Sequence, residues 1–147
     1  MIAGARWRRG AASLLVALVC SACAGGQRVE VREARAFEAL RGGTGALYAT
    51  IVNPTDSAER LDSVTSAASP HITAHDTREE NGMVAMVPLD RPTIPPHDSL
   101  VFTPGAAHLM LEDLPHDLKV GDTLSVTFWL QRAGPTPVTT IVRPYGS

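Results

Sequence analysis

The chain has 147 residues, with 13 Lys and Arg against 15 Asp and Glu and a formal net charge of −2. That length holds one domain of ordinary size. The charge balance lacks the basic excess a nucleic-acid partner requires, and two cysteines are too few for a disulfide scaffold.

The N-terminus reads as an export signal over residues 1–22. Arg6, Arg8 and Arg9 precede the apolar run AASLLVALV, and the small residues Ser21, Ala22 and Ala24 follow it. The run is shorter than the roughly 20 residues that cross a bilayer. In VCSAC, Cys23 stands where a bacterial lipoprotein carries its lipid on the first mature residue; ordinary cleavage after Ala24 is the alternative. Cys20 and Cys23 spell C-x-x-C, but inside a removed segment there is no folded helix for a redox pair to start. Loss of residues 1–22 removes three arginines and no acid, leaving 10 basic against 15 acidic residues. The expected product is exported, periplasmic or on the outer cell surface. It meets a membrane only through the lipid anchor.

Residues 23–43 read as an N-terminal linker with a possible first strand over 29–34. Gly42, Gly43 and Gly45 mark a loop. From residue 44 the pattern is short β-forming runs separated by turn residues. ALYATIVN ends at Asn53-Pro54. AERLDSVTS has Leu61 and Val64 as apolar anchors. ITAHDT alternates, MVAMVPL closes at Pro88, and the prolines of RPTIPPHDS exclude a helix. SLVF is followed by Pro104-Gly105, suited to a type II turn. HLMLEDL, TLSVTFWLQ as the longest strand and finally PVTTIVRP complete the domain at about residue 142, with 143–147 as a tail. Eight or nine strands at this spacing, with no amphipathic helical stretch, define an all-β sandwich or Greek-key barrel.

In HLMLEDL, positions i and i+2 share a face. Leu109 and Leu111 can therefore fill the core while His108 and Met110 face outward together. Upstream, His75 precedes Met86 by ten residues, and Met86 precedes His108 by twenty-one. Thioether sulfur is soft and neutral, a poor ligand for Zn²⁺, Ca²⁺ or Mg²⁺ but well suited to Cu(I); imidazole binds copper too. Two His and two Met would hold one Cu(I) without a thiolate. Met83 lies an odd number of residues from Met86 and reads as core. His71 reads as a loop residue, with a secondary metal role as the alternative, and its H-x3-H spacing with His75 serves zinc only on a helix. His97 and His116 adjoin aspartates and read as solvated. There is no G-x-S-x-G and no glycine-rich phosphate loop.

The spacing H-x10-M-x21-H-x-M, met at His75, Met86, His108 and Met110, resembles the signature of the PCu(A)C-type periplasmic copper chaperones. ALYATIVNPTDSAERL, HDTREENGMVAM, PGAAHLMLEDL and LKVGDTLSVTF resemble that family's successive segments, over about residues 44–142. The resemblance implies a cupredoxin-like β-barrel that binds Cu(I) and is not an enzyme. It also implies a copper-accepting partner, such as cytochrome c oxidase subunit II with its binuclear copper centre, or another copper chaperone. The competing expectation is a non-enzymatic β-sandwich envelope lipoprotein that binds protein, its His/Met cluster incidental. Blue-copper electron transfer needs a cysteine ligand, and none follows Cys23.

Overall fold

The computed structural model describes residues 26–147. The export signal and Cys23 therefore lie outside the described residues. Among those residues there is no helix, and ten strands follow one another: β1 (Glu30–Phe37), β2 (Gly45–Asn53), β3 (Glu59–Thr65), β4 (His71–Glu80), β5 (Met83–Pro88), β6 (Thr93–Ile94), β7 (Asp98–Phe102), β8 (His108–Glu112), β9 (Thr123–Leu130) and β10 (Gly134–Arg143).

Strict alternation drives the central strands. In β2, Gly45, Leu47, Ala49, Ile51 and Asn53 are buried and the residues between them half-buried. In β9, Leu124, Val126, Phe128 and Leu130 point inward. Burying one face of a strand fixes its register, because a one-residue slip would put every apolar side chain in water.

The sheet runs β5-β4-β8-β2-β1-β10-β9-β3-β6, with β7 also paired to β2. Every pairing is antiparallel except β1 with β10, where Ala36 and Phe37 lie beside Val142 and Arg143. The sheet wraps on itself, so that β3 comes back against β4 and β6 against β7. Leu47, Ile51, Ile94, Phe102, Leu109, Leu111, Phe128 and Val142 fill the space between the two layers.

Two buried polar residues close the corners. The fully buried Asn53 amide donates to the carbonyls of Ser57, Ile94 and Pro95 and accepts from the Thr55 N–H and hydroxyl. The Glu59 carboxylate, 2% exposed, accepts from the backbone N–H groups of Arg60, Arg132 and Ala133 at 2.8–2.9 Å. Each buried group is thus answered, as burial demands.

The fold is the expected all-β cupredoxin-like barrel, with ten strands instead of eight or nine. Within the proline-rich stretch, Thr93–Ile94 finds an antiparallel partner in β3 and makes a two-residue strand. β4 and β10, at ten residues each, exceed β9, the run expected to be longest. β1 extends to Phe37 across a register shift between Arg32 and Arg35, where Glu33 has φ +53°. That bulge breaks the alternation from which a strand end is read.

Candidate metal centre

The three strands β5, β4 and β8 lie side by side at one end of the sheet order. Asn81 and Gly82, at φ +55° and +76°, form the two-residue turn that joins β4 to β5. The resulting ladder pairs His75 with Pro88 and Thr77 with Met86. On its other edge β4 pairs His75 with His108, Thr73 with Met110 and His71 with Glu112. Residues directly opposite share a face, as do i and i+2 along a strand. His71, Thr73, His75, Met86, His108, Met110 and Glu112 therefore all project from the same outer face. Leu109 and Leu111 occupy the opposite, core face at 1% and 0% exposure.

His75 and His108 are the centre of this face. Their rings stack at 27° with centroids 6.0 Å apart. With metal–nitrogen bonds near 2.0 Å, each centroid would stand about 3 Å from a shared ion, which suits this gap. The His108 Nδ1 lies 3.0 Å from the Ala106 carbonyl. As a donor there, Nδ1 carries the proton and leaves Nε2 with a free lone pair, the usual orientation of a metal-binding imidazole. The His75 Nδ1 is buried and has no hydrogen-bond partner. A buried polar atom without a partner is costly, and a metal ion is one way to satisfy it. Among the described residues no three His, Cys, Asp or Glu side chains cluster, so a closed zinc-type site is absent there. The donors beside the two imidazoles are thioethers.

Met110, half-buried, is one diagonal step from His75 and two residues from His108. Met86 is one diagonal step from His75 on the other side, at 62% exposure. The two methionines flank His75 at opposite corners, four residues apart along β4 and on strands either side of it. Flat-sheet spacing would separate their Cα atoms by on the order of 15 Å. The structure thus brings His75, His108 and Met110 into adjacent positions, while Met86 stands at the edge, one hairpin away.

Other expectations change. Met83 is not core: it is 70% exposed, because β5 is an edge strand that runs past the inner layer. His71 is not in a loop but opens β4. His97 pairs with Asp56 at 2.7 Å on the surface and His116 is exposed; neither belongs to these three strands.

Two neighbours of the site were not anticipated. Continuing the β2–β8 register by one residue sets Tyr48 beside His108. Its ring packs edge-on against Phe37 at 5.8 Å, and it pairs across β1 with Arg35. Burial, and then the phenol of Tyr145, push the Tyr48 hydroxyl above its ordinary pKa, with Arg35 opposing. The second is an apolar groove of about 460 Å³ between β3 and β4, lined by Leu61, Val64, Ile72, Leu89 and Leu109 and reaching His75. On its rim Arg60 and Arg91 both bond the Asp62 carboxylate, holding it below the usual carboxylate range.

The wrapped all-β sheet is a cupredoxin-like fold of the PCuAC type. The chain belongs to the LpqE-like family, described as "Putative lipoprotein LpqE-like", whose profile matches residues 29–142. It is 33% identical over 85 residues to protein RP573 of Rickettsia prowazekii (strain Madrid E). The match covers 57% of this chain and 47% of that protein, so the chain spans about half the length of the curated relative. Among solved structures, the copper-bound PCuAC domain from PmoF2 superposes with a TM-score of 0.67 at 23% identity, over 80% of this chain and 93% of that one. Cu(I)-DR1885 from Deinococcus radiodurans superposes at 0.64 with 25% identity, over 84% and 85%. The apo form of DR1885 covers 99% and 95%, with a TM-score of 0.61 at 23% identity.

Proposed function

We propose that this protein is an exported copper carrier that holds one Cu(I) on the outer face of β4, β5 and β8. His75, His108, Met110 and Met86 are its ligands. The observation that carries the reading is the direct cross-strand pairing of His75 with His108, with Met110 beside them, at positions far apart in the chain. The orphaned His75 Nδ1 and the oriented His108 ring support it. So do the copper-bound and Cu(I) forms of the two structural relatives. The donor set itself favours Cu(I) over harder ions.

Met86 completes the set when the β4–β5 hairpin curls over the face. The bound ion then keeps one side open to solvent, and a labile, accessible ion passes to an acceptor by ligand exchange. The copper-accepting partner is a protein such as cytochrome c oxidase subunit II or a further copper chaperone. The protein is not an enzyme, and Cys23 anchors it to the membrane through lipid.

A second reading has one observation in its favour. Met83, Val84 and Met86 are 62–74% exposed on the edge hairpin, a surface suited to contact with another protein. A pure protein-binding lipoprotein would take no copper. Anaerobic Cu(I) titration against a competing chelator decides between the two. The expected result is one Cu(I) per chain, with affinity lowered at least about tenfold in His108→Ala and Met110→Leu. Equal titrations of the wild type and both variants would remove the copper reading.

A further inference from the structure

The copper face continues past Met110. Thr73 and Met110 form the row next to His75 and His108, and His71 and Glu112 form the row after it. Met110 is therefore a diagonal neighbour of both histidines of β4, His75 on one side and His71 on the other. The two differ in access: His75 is half-buried with a buried ring nitrogen, whereas His71 is exposed at the mouth of the strand.

This outer row is held in place. The Ser69 hydroxyl, on a residue 4% exposed, lies 2.7 Å from both the His71 and the Glu112 carbonyl oxygens and ties the two strand ends together. The Thr73 hydroxyl donates to Glu112 Oε1 at 2.8 Å, fixing the carboxylate beside Met110. Cross-strand partners such as His71 and Glu112 have Cβ atoms about 5 Å apart. The row thus offers an imidazole and an anchored carboxylate next to a thioether already assigned to the copper position.

We infer that His71 and Glu112, with Met110 shared, form a second, overlapping copper position through which Cu(I) leaves the site. The inference rests on the copper-carrier reading above. Met110 keeps its sulfur on the ion while the His71 imidazole replaces those of His75 and His108. The exchange breaks two metal–nitrogen bonds and the metal–sulfur bond to Met86, forms one metal–nitrogen bond and changes no oxidation state. Glu112 supplies negative charge where the ion has lost three ligands and gained one. The ion then sits at the exposed end of β4, open to an incoming ligand. Only one of the two positions is filled at a time, because both need Met110.

The test uses the full chain, loaded anaerobically with Cu(I) and challenged with bicinchoninate. His108→Ala is expected to keep a weak one-equivalent site, and the double variant His71→Ala/His108→Ala to bind Cu(I) at least about tenfold more weakly still. With His108 intact, His71→Ala should leave the Cu(I) affinity within about twofold but slow release to the chelator about tenfold. His71→Met, which restores a soft ligand, should recover the rate. Identical residual binding in the single and double variants, together with an unchanged release rate in His71→Ala, overturns the exit position and leaves the carrier intact. A wild-type chain that takes up no Cu(I) overturns both.

Discussion

The two ends of the sheet are built to different rules. Around β3, β9 and β10, inward side chains are buried and polar groups satisfied. Glu59 caps three backbone N–H groups, Trp129 Nε1 donates to Thr65, and Thr140 donates to the Ala34 carbonyl. Around β4, β5 and β8, one face packs on the core while the other carries half-buried donors. Both buried side-chain polar atoms without a partner among the described residues, His75 Nδ1 and Arg35 Nε, lie outside the β3–β9–β10 group. One end supplies the stability, and the other can leave donors open to an incoming ion. If that division holds, substitutions at the two ends should separate cleanly into folding and binding effects.

The strongest way to break the comparison is through the stable end. Phe128 is fully buried among Leu124, Val126 and Leu130. Phe128→Ala should cost about 3–5 kcal/mol in denaturant unfolding, from lost burial and the cavity left behind. Under conditions where the variant remains folded, its Cu(I) stoichiometry should match the wild type. Glu59→Ala comes next. It strands the N–H groups of Arg60, Arg132 and Ala133 at one corner. A loss of about 3 kcal/mol is expected, since an unpaired buried donor costs about 1–3 kcal/mol and water entering the corner recovers part of the total. A stability change below about 1 kcal/mol would mean that this corner is not the clamp its hydrogen bonds suggest.

The two methionines sharpen the comparison within the site end. Met110 is half-buried on a strand paired on both edges, while Met86 is exposed on an edge strand. Replacement of Met by Leu conserves volume, so each variant should stay within about 1.5 kcal/mol of wild-type stability. Met110→Leu should lower Cu(I) affinity at least about tenfold, and Met86→Leu by about threefold. The smaller loss reflects the hairpin curl that recruiting Met86 requires. Equal losses at both positions would show that the hairpin is already closed over the face before copper arrives.

Which parts of this were legible in the sequence follows from the range of the forces involved. Leu109 and Leu111 against His108 and Met110 is a period-two pattern, and the structure keeps it. The pairing of β4 with β8 is non-local: nothing in HITAHDT says which strand lies beside it, so the meeting of His75 with His108 rested on spacing and resemblance. Tyr48 was missed for the same reason, since its place beside His108 comes from the β2–β8 register. The β4–β5 hairpin did carry a local signal. Asn81-Gly82 between two β-forming runs is the turn that type I′ geometry asks for, and it would have joined two short runs into one long hairpin. It would also have placed Met83 next to the turn, in solvent, instead of in the core.

The smallest effect tests where the two ends meet. Asp62, on β3, faces the groove that reaches His75, and its carboxylate accepts from Arg60 at 2.7 Å and from Arg91 at 2.9 Å. Those side-chain hydrogen bonds lower its pKa from the ordinary value of 3.8. A carboxylate with a depressed folded pKa stabilises the native state above its unfolded pKa. That contribution fades as pH falls through the folded value, when native Asp62 takes up its proton. The pair is open to water, so the contribution is small and screened by salt. Asp62→Asn should therefore flatten slightly the acid limb of the stability–pH curve at low ionic strength, and much less at high salt. Denaturant midpoints measured across the acid range in both salts check this. An acid limb unchanged by the substitution would show that the Arg60–Asp62–Arg91 contact contributes nothing to holding β3 against the loop that carries Arg91.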